Sequence, residues 1–264
     1  MRLLLIRHGE SVDNVAGLYA GSRDSSLTNH GILQAQRLGA HIASRGSVTG
    51  PVRHVFASNL QRAYQTADAI VEACRLQNGG SASSMTLDVV QVEDLREKDF
   101  GSSEGKKFGS KEKDDGSELP VCMRLRIDRF LDRHLGPIVD QLAAENAAIV
   151  IVSHGIILNV LLKALLSRYP LQSSSSNLSG ERSGSEHLAP WSNTGVLQAR
   201  LELSHSTQSF RMIVEQTNNL DHLQGLKKTR GGIGSAKFDS RQRTMDSFFT
   251  SASKKRKFDD DAKD

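Results

Sequence analysis

The chain has 264 residues, 38% hydrophobic and 24% charged, a composition that fits one large or two small globular domains. Its longest apolar stretch, Ile156 to Leu166, is broken by Asn159 and Lys163 and falls short of the roughly 20 residues a membrane span needs, so no membrane partner is expected. The net charge of +4 resides in residues 219–264, which hold eleven Lys and Arg against seven acids, while residues 1–218 hold twenty-three of each. A nucleic-acid surface would place that excess on the folded part, so direct nucleic-acid binding is not expected.

The opening run Met1 to His8 is too short for a signal peptide and is followed by no small-residue cleavage site, so the chain is expected to stay inside the cell. Cys74 and Cys122 lack C-x-x-C spacing and read as buried or idle thiols.

Met1 to Arg7 reads as a buried strand meeting a loop at Arg-His-Gly. After a polar loop over Gly21 to Asn29, Ala35, Leu38 and Ile42 recur at helical spacing, with Thr28 and Asn29 as candidate N-caps. Val52 to Ala57 predicts a strand, and Leu60, Ala63, Tyr64, Ala67, Ile70 and Val71 predict one face of the next helix. Leu87 to Val92 predicts a third strand, and the aperiodic polar segment Glu93 to Glu118 predicts a loop. Pro120 suits a helix start, and Val121, Leu125, Leu131, Leu135 and Ile138 can line one side of a long helix bent near Gly136-Pro137. A strand over Ala148 to Val152 then runs into Ser153-His154-Gly155 and a helix from Ile156 to Leu166, repeating the strand, histidine, glycine order of the N-terminus. A serine-rich insertion spans about 172–186, two strands follow at Val196 to Leu203 and Phe210 to Glu215, and apolar periodicity ends near Asn219. The alternation predicts an α/β three-layer α/β/α sandwich with a mostly parallel sheet over residues 1–217, and a disordered tail over 218–264.

Four segments carry the chemistry in order: Leu5-Ile6-Arg7-His8-Gly9-Glu10-Ser11-x-x-Asn14; Ser58-x-Leu60-x-Arg62-Ala63-x-Gln65-Thr66-Ala67; Leu95-Arg96-Glu97-x-Asp99-Phe100-Gly101-x-x-Glu104-Gly105; and Val152-Ser153-His154-Gly155. Taken together they resemble the histidine phosphatase superfamily, the phosphoglycerate-mutase-like clan. The resemblance implies that His8 is the nucleophile that becomes phosphohistidine, that Arg7, Arg62 and His154 form the phosphate pocket, and that Glu97 is the proton donor. Asn14, the Ala20-Gly21 turn and Asn193-Thr194 match family positions near the substrate phosphate.

The residue types suit this chemistry, because phosphoryl transfer needs positioning and charge neutralisation above all. Two guanidiniums and an imidazolium supply that with no metal or cofactor, and a neutral His8 can attack phosphorus while its other ring nitrogen is held by a hydrogen bond at Gly9. A carboxylic acid must protonate the leaving alkoxide, and Glu97 needs a raised pKa for this, which bound phosphate charge provides; Asp99, Glu104 and Glu10 rank below it. The run from Leu95 to Gly105 resembles the phosphatase branch, since mutases usually carry Arg-His-Tyr-Gly after the same glutamate. The expected function is a metal-independent phosphomonoesterase acting on a small phosphorylated substrate. The alternatives are a phosphoglycerate-mutase-type phosphomutase, and a catalytically idle domain serving as an interaction protein.

In the tail, Gln242-Arg243-Thr244-Met245-Asp246-Ser247-Phe248-Phe249 fits Q-x-x-[ILM]-x-x-[FY]-[FY] and resembles the PIP box that binds the sliding clamp PCNA. That resemblance implies a single turn presenting Met245, Phe248 and Phe249 as an apolar plug, with Gln242 hydrogen-bonding beside it. Lys254-Lys255-Arg256-Lys257 resembles a nuclear localisation signal, so the nucleus as well as the cytoplasm is an expected location.

Overall fold

The computed structural model describes residues 1–77, 87–110, 115–171, 190–204, 209–228 and 233–239. The serine-rich insertion, the PIP-box-like run 242–249 and the basic run 254–257 lie outside the described residues. Six strands, β1 (Arg2–Arg7), β2 (Val52–Ser58), β3 (Val89–Val92), β4 (Ala148–Ser153), β5 (Val196–Ser204) and β6 (Ser209–Asn219), form one sheet in the order β3-β2-β4-β1-β5-β6. β3, β2, β4 and β1 run parallel, β5 runs antiparallel to β1, and β6 closes the edge antiparallel to β5. The α/β sandwich with a mostly parallel sheet is therefore as expected.

Strand side chains alternate between two cores. Leu3, Leu5, Ile149 and Ile151 face one layer, while Leu4, Ile6, Val150 and Val152 face the other, the period of two that a sheet buried on both faces requires. The second layer is made by α2 (Asn29–Ser44) and α4 (Gln61–Gln77). Thr28 caps α2 by accepting from the Gly31 amide at 3.0 Å, which selects Thr28 over Asn29 as the N-cap. The two helices touch at Gly39, where a Cβ would come within 2.4 Å of the Ala69 carbonyl oxygen. Two short helices, α1 (Val12–Ala16) and α3 (Gly46–Thr49), flank α2.

The first layer contains α5 (Pro120–Phe130), α6 (Gly136–Gln141) and α7 (Gly155–Arg168). Between α5 and α6 a π turn spans Leu131–Leu135, closed by the Gly136 amide donating to the Leu131 carbonyl. Pro137 has no N–H for the Arg133 carbonyl, and the widened turn just before it absorbs that loss. The expected apolar stripe is corrected in its first half, where Val121 and Leu125 are 58% and 61% exposed and Met123, Ile127 and Phe130 face the core instead; Leu131 and Leu135 are buried and Ile138 packs against the same core, as expected. The segment after β3 is also more ordered than a loop reading implies, with 3₁₀ turns at Glu93–Leu95 and Gly101–Ser103.

The folded chain runs past the expected boundary at residue 217. His222 reaches Thr194, Arg37 donates to the Gln224 carbonyl, and residues 236–238 lie antiparallel to Leu27-Thr28-Asn29 through two backbone hydrogen bonds. Polar, aperiodic sequence hides this because the contacts are hydrogen bonds of backbone and polar side chains, which leave no apolar period. Among the described residues no helix is long and apolar enough to cross a membrane.

Candidate active site

The register of β1 on β4 builds the site. Arg7 stands opposite Ser153, and the His8 amide donates to the Ser153 carbonyl at 3.0 Å, so the two strand ends deliver His8 and His154 side by side with ring centroids 5.0 Å apart. This is the carboxyl edge of the parallel strands, where open α/β sheets place their ligands. Both rings are almost fully buried.

Hydrogen bonds define the tautomer of each ring. His8 Nδ1 lies 2.7 Å from the Gly9 carbonyl oxygen; a carbonyl only accepts, so Nδ1 carries the proton and Nε2 keeps its lone pair. His154 Nδ1 accepts from Arg62 Nε at 3.2 Å, so its proton is on Nε2. Burial, then the Arg62 and Arg7 charges, hold His8 well below the usual 6.5. Burial and Arg62 act in the same way on His154. The expected imidazolium at His154 is thus a neutral ring, which still presents a donor through Nε2–H.

Arg62, on the first turn of α4, is 1% exposed, and backbone carbonyls fix its guanidinium: Nη1 donates to Arg23 at 2.7 Å, and Nη2 to Ala20 at 3.0 Å and Gly21 at 2.9 Å. Burial lowers its pKa to about 10, which leaves it cationic at neutral pH. Arg7 donates from Nη1 to the Trp191 carbonyl at 2.7 Å. Arg7 Nε and His154 Nε2 are buried with no partner among the described residues. Two orphaned donors beside a second guanidinium suit an anion, because buried donors rarely stay unsatisfied.

Glu97 caps α7. Its Oε2 accepts from the Ile156 amide at 3.0 Å, and its Oε1 accepts from the amides of Ile157 at 3.0 Å and Lys98 at 2.9 Å. The lower-ranked acids are committed elsewhere. Glu104 accepts from the amides of Gly21, Ser22 and Phe100, Asp99 from the Gly101 amide, and Glu10 bonds Thr28 and Lys228. Gly21 leaves no space for a side chain, since a Cβ would come within 1.8 Å of the Lys98 carbonyl oxygen; its role here is to hold Arg62. Asn14 and Asn193 bond each other at 3.1 Å, and Asn193 also donates to the His8 carbonyl at 3.1 Å, so both brace the His8 backbone.

Three further side chains, Thr66, Thr194 and His222, support these residues from behind. The Thr66 hydroxyl accepts from the Gly9 amide and donates to the Arg62 carbonyl, tying two signature segments together. Thr194, at φ 57°, gives its amide to the Arg7 and His8 carbonyls; its hydroxyl donates to the Asn193 carbonyl at 2.7 Å and so accepts from His222 Nε2 at 2.9 Å. Thr66 lies in the same segment as Arg62, whereas nothing in the local sequence marks His222. Among the described residues no group of three or more His, Cys, Asp or Glu is placed to hold a metal ion.

Residues 3–179 match the family model described as "Histidine phosphatase superfamily (branch 1)". The chain is 31% identical over 258 residues to "Probable phosphatase C1620.13" of Schizosaccharomyces pombe, covering 93% of this chain and 78% of that protein. It is also 31% identical over 183 residues to "Probable phosphoglycerate mutase GpmB" of Proteus mirabilis, covering 63% of this chain and 75% of that one. Among solved structures, a mycobacterial glucosyl-3-phosphoglycerate phosphatase complexed with VO3 superposes with a TM-score of 0.62 at 21% identity, covering 82% of this chain and 98% of the other, a likeness of fold.

Proposed function

Because this chain belongs to the histidine phosphatase superfamily, we propose that it is a metal-independent phosphomonoesterase that works through a phosphohistidine on His8. The observation that carries the reading is the neutral His8 ring, its Nδ1 proton given to Gly9 and its Nε2 lone pair free to react, beside two buried donors that lack a partner among the described residues. The phosphate oxygens of a monoester take hydrogen bonds from Arg7, Arg62 and His154 Nε2–H, which neutralise charge as the transferring group flattens. His8 Nε2 forms a bond to phosphorus as the ester P–O bond breaks. The leaving oxygen takes a proton from Glu97; water then attacks phosphorus and gives a proton back to Glu97 as the P–N bond breaks, His8 Nε2 recovers its lone pair, and inorganic phosphate departs. Glu97 Oε2 accepts one amide and Oε1 two, so Oε2 is the oxygen with room for the proton.

Purified protein is expected to hydrolyse p-nitrophenyl phosphate in the presence of a chelator, and His8→Ala to lose that activity by at least about 10³-fold. Abolition by the chelator would sink the metal-free mechanism. The similarity to a protein named as a mutase makes phosphomutase activity the second reading. Interconversion of phosphoglycerates without net phosphate release would favour it.

We further propose that the tail brings this enzyme to PCNA in the nucleus, on the support of the match at all four specified positions of the run 242–249 and the basic run 254–257. A peptide covering residues 241–251 is expected to bind the clamp, and Phe248→Ala with Phe249→Ala to abolish binding in the full chain while leaving phosphatase activity unchanged. Equal capture of the double variant by the clamp would refute this role.

A further inference from the structure

The Glu97 turn is held from outside itself. Arg96 to Phe100 has no regular secondary structure, yet four successive carbonyls just before and at Glu97 each accept from a side chain. Arg126 Nη1 donates to the Asp94 and Arg96 carbonyls, both at 2.6 Å, and Nη2 to the Glu97 carbonyl at 3.2 Å. The remaining carbonyl, of Leu95, accepts from Ser153 Oγ at 2.7 Å. Arg126 directs its other two N–H groups at Glu118, with Nε on Oε1 at 2.7 Å and Nη2 on Oε2 at 3.0 Å. All five guanidinium donors are thereby used.

Glu118 closes the other flank. Its Oε2 accepts from the Asp99 amide at 3.3 Å, and its own amide donates to the Asp99 carbonyl at 2.8 Å. The pair, with side chains only 12% and 16% exposed, therefore grips the chain on both sides of Glu97. Arg126 sits on α5 and points three of its donors at one turn, far more than tethering a helix to a loop requires. A lysine could pair with Glu118 but has no planar fork to span carbonyls at positions 94, 96 and 97 together.

We infer that Arg126, oriented by Glu118, is a positioning residue for Glu97: it fixes the turn so that the carboxyl reaches both the α7 amides and the leaving oxygen of the substrate. Neither residue touches the reacting atoms. The inference rests on the reading of Glu97 as proton donor, and the test separates the two. Poor placement of an acid by about 1 Å costs on the order of 10²-fold when the step depends on it, and dependence is set by the leaving group. A nitrophenolate departs with little help, whereas an alkoxide needs its proton.

The readout is kcat/KM, which reports phosphoenzyme formation, measured on p-nitrophenyl phosphate and on β-glycerol phosphate. Glu97→Gln, the reference, is expected to lose about 10²- to 10⁴-fold on the alkyl ester and far less on the aryl ester. Arg126→Met is expected to lose about 10- to 100-fold on the alkyl ester and less than about 3-fold on the aryl ester. Glu118→Gln, which keeps the Arg126 carbonyl contacts but weakens the ion pair, is expected to show the same selectivity at about 3- to 10-fold, and it decides the matter if Arg126→Met does not fold. Equal losses on both esters in the Arg126 and Glu118 variants, with a selective Glu97→Gln, overturn the inference and leave the proton-donor reading standing. No selectivity in Glu97→Gln overturns that reading and this inference with it.

Discussion

At the scale of single residues the site runs on neutral imidazoles and buried cations. His8 and His154 are kept unprotonated by burial and the neighbouring arginines, and burial with His41 nearby pushes His222 down to about 4. The unfolded chain protonates its histidines near 6.5, so below that pH it binds more protons than the folded one, and stability falls as pH drops. The melting temperature of the ligand-free protein is expected to decline steadily from pH about 7.5 to about 5, and His222→Gln to reduce the slope. A melting temperature that is flat or rises towards acid would contradict the neutral rings.

At the scale of elements, α5 shows how a helix with two apolar stripes is read wrongly. Val121 and Leu125 share one stripe; Met123, Ile127 and Phe130 share another, and both satisfy helical spacing. The packing of α5 on the sheet and α7 chooses the second, and leaves Val121 and Leu125 exposed. Phe130→Ala is expected to cost about 3–5 kcal/mol in urea denaturation, because Phe130 is fully buried against Phe56. Val121→Ser is expected to cost no more than about 0.5 kcal/mol. Similar costs for the two would mean that the wrong face has been assigned to the core.

At the scale of the whole molecule, the segment after β6 acts as a strap across the second layer. It connects His222 to Thr194 under the His8 backbone, Lys228 to Glu10 at 2.6 Å, and residues 236–238 to the start of α2. A chain ending at Asp239 is expected to keep the melting temperature and aryl phosphatase rate of the full protein. One ending at Asn219 is expected to melt several degrees lower and to lose activity, since it lacks the support beneath Thr194. Equal melting temperatures and rates for the two truncations would show the strap to be an ornament of the fold.

Local sequence determined the alternation of strand and helix and the segments that hold His8, Arg62, Glu97 and His154. Periodicity, caps and glycine turns are short-range properties, so a chain read by itself exposes them. Tertiary structure decided the rest. Only the β1–β4 register sets His8 beside His154, and only through-space bonds show that Glu104 braces a loop while Glu97 stands at the head of α7. Arg126, Thr66 and His222 acquire their roles from partners 28 to 57 positions away in sequence, such as Thr194 for His222, Arg96 for Arg126 and Gly9 for Thr66. Hydrogen-bond partners and packing are long-range choices, made when the sheet closes rather than by any stretch of residues.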